Sequence, residues 1–182
     1  MLLYQKLIRI MSIHPNFIRD LSLIRELQLP HGCIAAGYIR NFVWDYLHSY
    51  SSQTPLNDVD VVYFDPTEIS EEKEKIYEKA LKKHVPYPWS VKNQARMHLR
   101  NQESRYISVA DAMKRWPETA TAVGMSLGQH GEFEVIAPYG LDDLFDLVIR
   151  RSRYFKDAEY FAARIRDKKW LETWPKLSVA KD

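Results

Sequence analysis

The spacing of apolar residues predicts helices at the start of the chain, and a change of spacing near residue 33 predicts the first strand. Residues 1–29 repeat apolar side chains every three or four positions, with a break at 14–16, which is typical of two amphipathic helices. A short apolar run then covers residues 33–36 and stops at Gly37. We therefore predict two covering helices over 1–30, followed by a buried strand.

The segment after Gly37 combines a helical and a strand-like pattern. Apolar side chains recur at helical spacing over residues 39–47, and polar turn-forming residues follow at 49–55. Residues 58–64 are rich in β-branched and aromatic side chains and form a run too short for a typical helix. These patterns predict a strand, a glycine turn, a helix, a loop and a second strand.

The rest of the chain alternates between the same two kinds of pattern. In order, it predicts a charged helix ending near residue 83, a strand over 89–99, a helix over 108–116 capped by Ser108, a hairpin over 119–137, a helix from 140, and a helical tail over 150–182. On the strand over 89–99, the polar face is either exposed to solvent or part of a pocket wall. The predicted fold class is α/β (α+β), a mixed β-sheet flanked by helices with N-terminal helices and a C-terminal helical tail.

Composition limits the size and the location of the protein. The chain has 182 residues, 46% of them hydrophobic, which suffices for one domain with a sizeable core. We predict a single domain over 1–182, made of N-terminal helices (1–30), a core (31–149) and a basic, aromatic tail (150–182). The one cysteine, Cys33, lies in an apolar run and is expected to be a buried thiol. With no long apolar segment and no signal-peptide pattern, we predict a cytoplasmic protein that does not span a membrane.

Two carboxylates indicate that the second predicted strand carries the chemistry. Asp58 and Asp60 are one residue apart, so on a strand their side chains project to the same side, about 6–7 Å from each other. Such carboxylates repel unless a cation lies between them, and Mg²⁺ is usually held by one or two carboxylates together with substrate phosphates. The pair predicts a Mg²⁺ site, with Mn²⁺ as the alternative ion. The other interpretation is that Asp58 only caps a turn.

Gly37 and Arg40 have the properties of a phosphate site. A helix that begins at a glycine turn offers its first N–H groups and the positive end of its dipole to a phosphate. Arg40 follows one turn later, where its guanidinium can bind phosphate oxygens in a bidentate manner. The alternative is a structural ion pair between Arg40 and either Asp58 or Asp60.

This order of elements resembles the signature of the nucleotidyltransferase superfamily, which has the DNA polymerase beta-like fold and includes CCA-adding enzymes and aminoglycoside nucleotidyltransferases. The stretch AGYIRN at 36–41 is similar to the Gly-Gly-x-x-Arg-Asp of the CCA-adding branch. The phrases LNDVDVVYFD, VKNQARMH, WPETATAVG, APYGLDDLF and WLETWPKL resemble an uncharacterised bacterial family of small nucleotidyltransferase-like proteins. The resemblance implies a nucleotidyltransferase-like mixed sheet, with nucleotide-binding roles for Gly37, Tyr38, Arg40 and Asn41 and catalytic, metal-binding roles for Asp58 and Asp60.

Three positions depart from the superfamily pattern. Ala36 stands where the first glycine is expected, and Asn41 stands where an acid follows the arginine. Superfamily enzymes also use a third acid on a later strand. There this chain offers Asn93, whose carbonyl can coordinate a metal but which cannot act as a base. Either two carboxylates suffice, or Glu132 or Glu134 substitutes, or the site binds nucleotide without turnover.

Charge is distributed unevenly along the chain. From residue 150 onward there are 10 basic and 5 acidic residues with interleaved aromatic residues, whereas the preceding chain has 16 basic and 19 acidic residues. A helix docked on the domain with a basic outer face explains this tail. The alternative is a tail that contacts a nucleotide or phosphate.

Two functions fit these features. The first is an enzyme that transfers a nucleoside monophosphate from a nucleoside triphosphate to a hydroxyl group of a small-molecule acceptor in a Mg²⁺-dependent reaction. No recognisable nucleic-acid-binding module is present, so a nucleic-acid partner is not expected. The second is a catalytically inactive nucleotide-binding or partner-binding module on the same fold, which the missing third acid favours.

Overall fold

The computed structural model describes residues 2–181. The helices are α1 (Leu2–Ser12), α2 (Phe17–Glu26), α3 (Gly37–Leu47), α4 (Glu71–His84), α5 (Gln94–Asn101), α6 (Val109–Met113), α7 (Asp142–Phe145), α8 (Ala158–Asp167) and α9 (Trp170–Thr173). The strands are β1 (Cys33–Ala35), β2 (Val59–Tyr63), β3 (Trp89–Asn93), β4 (Gly124–Leu127), β5 (Phe133–Ile136), β6 (Val148–Ile149) and β7 (Ser178–Val179).

Five of the strands form one mixed sheet in the order β3-β2-β1-β4-β5. Strand β1 is antiparallel to both β2 and β4, whereas β2 and β3 are parallel. Strands β6 and β7 form a separate parallel pair. The predicted mixed sheet flanked by helices is therefore confirmed, as are the two N-terminal helices and the hairpin that β4 and β5 form.

The register of β1 and β2 shows which residues lie on each face of the sheet. One face is covered by a larger apolar core than the other. Ile34 lies opposite Val61, and both belong to the main core beneath the N-terminal helices. Ala35 lies opposite Asp60, and because side chains alternate along a strand these two residues face the other side. Two smaller apolar clusters, one of which includes Val62, lie on that side. Asp60 is therefore placed on the more open face of the sheet.

The segment after β3 is a helix, so the predicted strand over 89–99 is wrong beyond residue 93. The Oδ1 of Asn93 accepts the N–H of Ala95 at 3.0 Å and so caps α5. On this helix Leu99 is 61% exposed, although the strand pattern placed it in the core. Arg96 turns back to α4 and pairs with Glu74 at 2.8 Å. The predicted polar strand face therefore does not exist, and Glu74 is buried and not part of a solvated helix face.

The C-terminal tail packs against the main core through its aromatic side chains. Phe161, Trp170 and Trp174 are buried, and the ring of Trp174 lies edge-on to that of Trp44 at 5.1 Å between centroids. Helix α8 corresponds to the predicted docked helix, whereas β7 was not predicted. Within residues 2–181, none of the helices combines the length and apolarity needed to cross a membrane.

Candidate active site

Asp60 is a partly buried carboxylate in the middle of the sheet. It lies between Ala35 on β1 and Ser90 on β3. Burial and the charge of Asp58 raise the pKa of Asp60 to about 6, and a hydrogen bond with Ser90 opposes this shift. The shift arises because a buried charge loses hydration and a second carboxylate repels it. A nearby cation would therefore stabilise the charged form of Asp60.

Asp58 lies one residue before β2, at the end of the loop over 48–58, and is exposed. The buried carboxylate of Asp45 fixes this loop, because it accepts hydrogen bonds from the backbone N–H and the hydroxyl of Thr54 at 2.7 and 2.6 Å. The same carboxylate accepts the indole N–H of Trp174 at 2.8 Å. Asp45 thus ties the loop that carries Asp58 to the C-terminal tail, a role that the sequence did not reveal.

The turn between β1 and α3 has an unusual backbone at Ala36. This residue has φ 55° and ψ −124°, a combination that glycine adopts far more readily than alanine. Its N–H donates to the carbonyl of Val123 at 2.9 Å, and its carbonyl accepts the N–H of Arg40 at 2.9 Å. The position therefore has the geometry of the glycine that the family pattern expects there, even though this chain carries alanine.

We expect Ala36→Gly to stabilise the protein by about 1 kcal/mol. Relief of backbone strain, about 1–3 kcal/mol, outweighs the added flexibility of the unfolded chain and the loss of one buried methyl group. Urea unfolding measures the difference. Ala35→Gly, one residue earlier in a regular strand, is the matched control and should destabilise. A loss of stability in Ala36→Gly would mean that the turn is not strained.

Gly37, by contrast, has no backbone reason to be glycine. Its φ is not in the positive region, and a Cβ there would meet the Nη2 of Arg40 at 3.7 Å and the Oδ1 of Asn41 at 3.9 Å, which are ordinary contacts. Helix α3 begins at this residue. The N–H groups of Ile39 and Arg40 donate to the carbonyl of Ala36, whereas those of Gly37 and Tyr38 have no backbone partner in the described chain. The missing side chain leaves these donors open to a ligand.

Arg40 is a buried cation without a carboxylate partner among residues 2–181. It is 5% exposed, and it donates to the hydroxyl of Thr121 at 2.7 Å and to the Oδ1 of Asn41 at 2.8 Å. Its guanidinium lies 4.4 Å from the ring centroid of Trp170 and 5.0 Å from that of Trp44. The alternative of a structural ion pair with Asp58 or Asp60 is not realised, since no such pair lies within 4.0 Å in the described chain.

The buried guanidinium has an unmet need for an anion. Burial lowers the pKa of Arg40 to about 10, against the raising effects of the carboxylates of Glu118, Asp60 and Asp58. Its Nε is buried and has no hydrogen-bond partner in the described chain. Burying a charge without a partner is costly, and a phosphate bound beside Gly37 would supply the anion that the Arg40 guanidinium lacks.

The structure separates Tyr38 from the other residues that the resemblance assigned to nucleotide binding. Its side chain is 2% exposed, and its hydroxyl donates to the carboxylate of Asp20 on α2 at 2.6 Å. Tyr38 therefore faces the N-terminal helices, and it belongs to the core. Asn41 remains beside Arg40 and lines the same small cavity as Gly37.

Neither candidate for a third metal position joins Asp58 and Asp60. The amide of Asn93 is fully buried, where its nitrogen donates to the carbonyls of Asp65 and Glu68 and its oxygen accepts two N–H groups. Glu134 is exposed on β5, three strands from β2, and accepts the hydroxyl of Ser126. Within residues 2–181, no three His, Cys, Asp or Glu side chains are grouped in a way that could hold a metal ion.

The Glu132 alternative is also not realised, because this side chain bonds within the hairpin turn. Its carboxylate accepts the N–H of His130 at 3.0 Å. The candidate metal site of this chain therefore consists of two carboxylates.

Two cavities flank the carboxylate pair. The larger cavity has a volume of about 810 Å³ and is lined by Asp60 and Val62 of β2, by α5 and α6, and by residues 154–164 of the tail. The smaller one, which we call the turn cavity, is about 100 Å³ and is lined by Gly37, Arg40, Asn41, Asp58 and the tail residues Lys168 and Trp170. Asp60 thus borders one cavity and Asp58 the other.

The tail contributes three cations to these walls, of which Lys156 and Arg164 line the larger cavity. Arg164 lines the larger cavity and forms an ion pair of 2.6 Å with Glu118, which is 1% exposed. Lys168 is exposed and lines the turn cavity. The interleaved basic and aromatic residues of the tail were the only sequence signal for these positions, because their contacts lie far away along the chain.

Comparison with known proteins now identifies the class. A family model described as nucleotidyltransferase matches residues 22–179, and the chain belongs to this family. A protein whose NMR structure reveals a CCA-adding enzyme head domain is 34% identical, with a TM-score of 0.84, over 98% of this chain and 96% of that one. No curated protein matches the chain.

Two further solved structures share the fold at low sequence identity. A CCA-adding enzyme in complex with CTP is 12% identical with a TM-score of 0.61, over 95% of this chain and 43% of that one. The Thermotoga maritima CCA-adding enzyme complexed with tRNA is 14% identical with a TM-score of 0.59, over 95% of this chain and 42% of that one. The chain spans about two fifths of the length of these two enzymes, and the likeness shows the fold alone.

Proposed function

We propose that this protein transfers a nucleoside monophosphate from a nucleoside triphosphate to a hydroxyl group of a small-molecule acceptor. The observation that carries the proposal is the pair Asp58 and Asp60, two carboxylates without an ion-pair partner in residues 2–181, next to a glycine turn and a buried, uncompensated Arg40. Anionic and cationic groups that lack partners in the protein are complementary to a metal–triphosphate complex.

The donor set fits Mg²⁺, and Mn²⁺ equally. Asp58 raises the pKa of Asp60, so the carboxylates are close enough to repel, and oxygen ligands are those that these hard cations prefer. Asp58 and Asp60 would hold the ion. When bound, it would neutralise the charge on the phosphates of the substrate.

The residues of the protein would position the reactants. The first N–H groups of α3 and the guanidinium of Arg40 would bind the phosphates that leave as pyrophosphate, in the turn cavity. The acceptor oxygen forms a bond to the α-phosphorus while the bond from phosphorus to the pyrophosphate oxygen breaks, and the hydroxyl proton passes to solvent. Positioning and electrostatic stabilisation supply the catalysis.

The size of the larger cavity favours a small-molecule acceptor. Its volume of about 810 Å³ lies within the range of about 300–1,000 Å³ that small-molecule sites occupy. One of the structures with this fold is nevertheless bound to tRNA, so RNA belongs among the acceptors to be tested.

A nucleotide-binding module without catalytic activity is the second candidate. The absence of a third carboxylate from the pair within residues 2–181 favours it. Such a protein would bind nucleoside triphosphates and metal ion but would release no pyrophosphate with any acceptor.

Calorimetric titration with ATP, GTP, CTP and UTP tests the proposal. We expect binding in the presence of Mg²⁺ that weakens at least about tenfold when EDTA removes the metal, because the carboxylates then repel the phosphates. Pyrophosphate release in the presence of small-molecule or RNA acceptors separates the enzyme from the binding module. Affinity that is the same with and without metal would exclude the carboxylate pair as a metal site.

Gly37→Ala provides a variant that preserves the fold. Its methyl group makes only ordinary contacts and favours the helix, so stability should not fall. The methyl group would cover the first N–H groups of α3, and we expect nucleoside triphosphate affinity to fall about tenfold. Ser12→Ala, which changes an exposed residue at the end of α1 that lines neither cavity, is the control and should retain affinity for the phosphates.

A further inference from the structure

The linings of the two cavities share no residue, and this separation assigns them different reactants if the proposed function holds. Asp58 and Gly37 line the turn cavity, whereas Asp60 lines the larger cavity. In phosphoryl transfer the attacking and leaving oxygens are roughly in line across phosphorus. When pyrophosphate leaves into the turn cavity, the larger cavity is then available to the attacking hydroxyl.

The larger cavity has unpaired positive charges at its rim. Arg100 on α5 and Lys156 in the tail are exposed, and neither has an ion-pair partner among residues 2–181. Apart from Asp60, the acidic residues of the lining are engaged with the protein. Glu103 pairs with Arg115, and Asp157 accepts the N–H of Tyr160 as the cap of α8.

The lining of the larger cavity also contains aromatic side chains. Trp116 and Phe155 are half-buried in the lining, and Arg115 lies 4.4 Å from the ring centroid of Tyr154. Rings of this kind pack against the apolar faces of a flat or cyclic molecule, and a few charged groups then fix its orientation. The lining thus suits a cyclic molecule with an anionic group at one end.

We propose that the larger cavity is the acceptor site and that the acceptor is a phosphorylated hydroxyl compound such as a sugar phosphate. Its phosphate binds at Arg100 and Lys156, its ring packs on Trp116 and Phe155, and a hydroxyl group reaches the α-phosphorus beside Asp60. The phosphate of the acceptor and the phosphates of the nucleotide then occupy separate cationic sites, one at each end of the paired cavities.

Amide-resolved NMR titrations with ribose 5-phosphate and with ribose test this proposal on the full chain. We expect ribose 5-phosphate to shift the amide signals of Gln102, Glu103 and Phe155 and to leave those of Gly37 and Asn41 unchanged. It should bind at least about tenfold more tightly than ribose, because two charge-assisted hydrogen bonds are added. A separate titration with ATP and Mg²⁺ should shift Gly37 and Asn41.

A double variant tests the rim cations. Arg100→Ala combined with Lys156→Ala should weaken the binding of ribose 5-phosphate at least about fivefold and change the binding of ribose less than about twofold. The matched control is Arg105→Ala with Arg166→Ala, which removes two exposed cations that line neither cavity. Equal losses in both double variants would show a general charge effect and overturn the proposed site.

Three other outcomes are decisive. If ribose 5-phosphate shifts only the amide signals of Gly37 and Asn41, phosphate binds in the turn cavity alone, and the proposal fails. If a short RNA shifts the amide signals of the larger cavity and ribose 5-phosphate does not, the acceptor is a macromolecule and not a small molecule. Ribose 5-phosphate binding at the rim without any binding of nucleoside triphosphate would overturn the proposed function and the acceptor role, and it would leave only a phosphate-binding site.

Discussion

Replacing Asp60 with asparagine should lower nucleotidyl transfer by at least about a hundredfold and also raise the melting temperature of the ligand-free protein at about pH 7.5. Burial and Asp58 raise the pKa of Asp60 to about 6, so near neutral pH the protein carries this charge at a cost. Asparagine has nearly the same shape and no charge. We expect a gain of about 1–2 kcal/mol, less than the full shift because Asp60 keeps some exposure, or about 3–6 °C.

The pH dependence of this gain has a definite sign. The folded pKa of about 6 lies above the ordinary value of 3.8, so between these values the native protein holds a proton that the unfolded chain has released. The stability of the unchanged protein therefore falls as pH rises through this window. The gain from Asp60→Asn should be complete above about pH 6 and absent below about pH 3.8. Thermal melts over this range measure it.

Asp167→Asn is the control for this variant, because Asp167 is an exposed carboxylate at the end of α8 that lines neither cavity. It should change neither transfer nor stability appreciably. Asp60→Asn with unchanged transfer would remove Asp60 from the catalytic groups. A melting temperature that is unchanged at every pH would show that its surroundings do not destabilise its charge.

The elements around the candidate site could be predicted because each has a strong local pattern. The apolar run before Gly37, the helical spacing after it and the β-branched run after Asp58 lie within about thirty residues, and each pattern depends only on nearby positions. The same patterns brought Gly37, Arg40, Asp58 and Asp60 to one region, where the structure places them around the two cavities.

The errors arose where contacts distant in sequence decide the structure. Residues 92–99 alternate in polarity like a strand, but the ion pair between Arg96 and Glu74, which lies 22 residues earlier, favours a helix. Tyr38 follows Gly37 directly, yet Asp20, which lies 18 residues earlier, determines where its hydroxyl points. No local pattern contains such pairs.

Buried polar partners were the part of the site that the sequence could not supply. The pairing of Glu118 with Arg164 and the bonds from Asp45 to Thr54 and Trp174 bring the tail over both cavities. The tail composition was compatible with a docked helix and with a phosphate-contacting segment. In the structure α8 is docked, and its Arg164 also lines the larger cavity.

Arg40→Met should fold with nearly unchanged stability and lose nucleoside triphosphate affinity about 10- to 100-fold, as expected when charge-assisted hydrogen bonds to phosphate are removed. Methionine fills much of the space that the Arg40 side chain occupies beside the rings of Trp44 and Trp170, and it removes a buried charge that has no carboxylate partner within residues 2–181. Calorimetric titration with ATP and Mg²⁺, together with thermal melts, measures both quantities.

Two variants complete the test of Arg40. Arg40→Ala should also destabilise by about 2–4 kcal/mol, because it leaves a cavity beside the two indole rings. Arg164→Met is the opposite control, since it strands the buried carboxylate of Glu118, and it should lose about 3–5 kcal/mol of stability. Arg164 borders the larger cavity, whereas Arg40 borders the turn cavity. At a temperature where both variants are folded, pyrophosphate affinity should therefore fall in Arg40→Met and persist in Arg164→Met. Retention of pyrophosphate affinity in Arg40→Met would place the phosphates away from α3 and make Arg40 a residue of the scaffold.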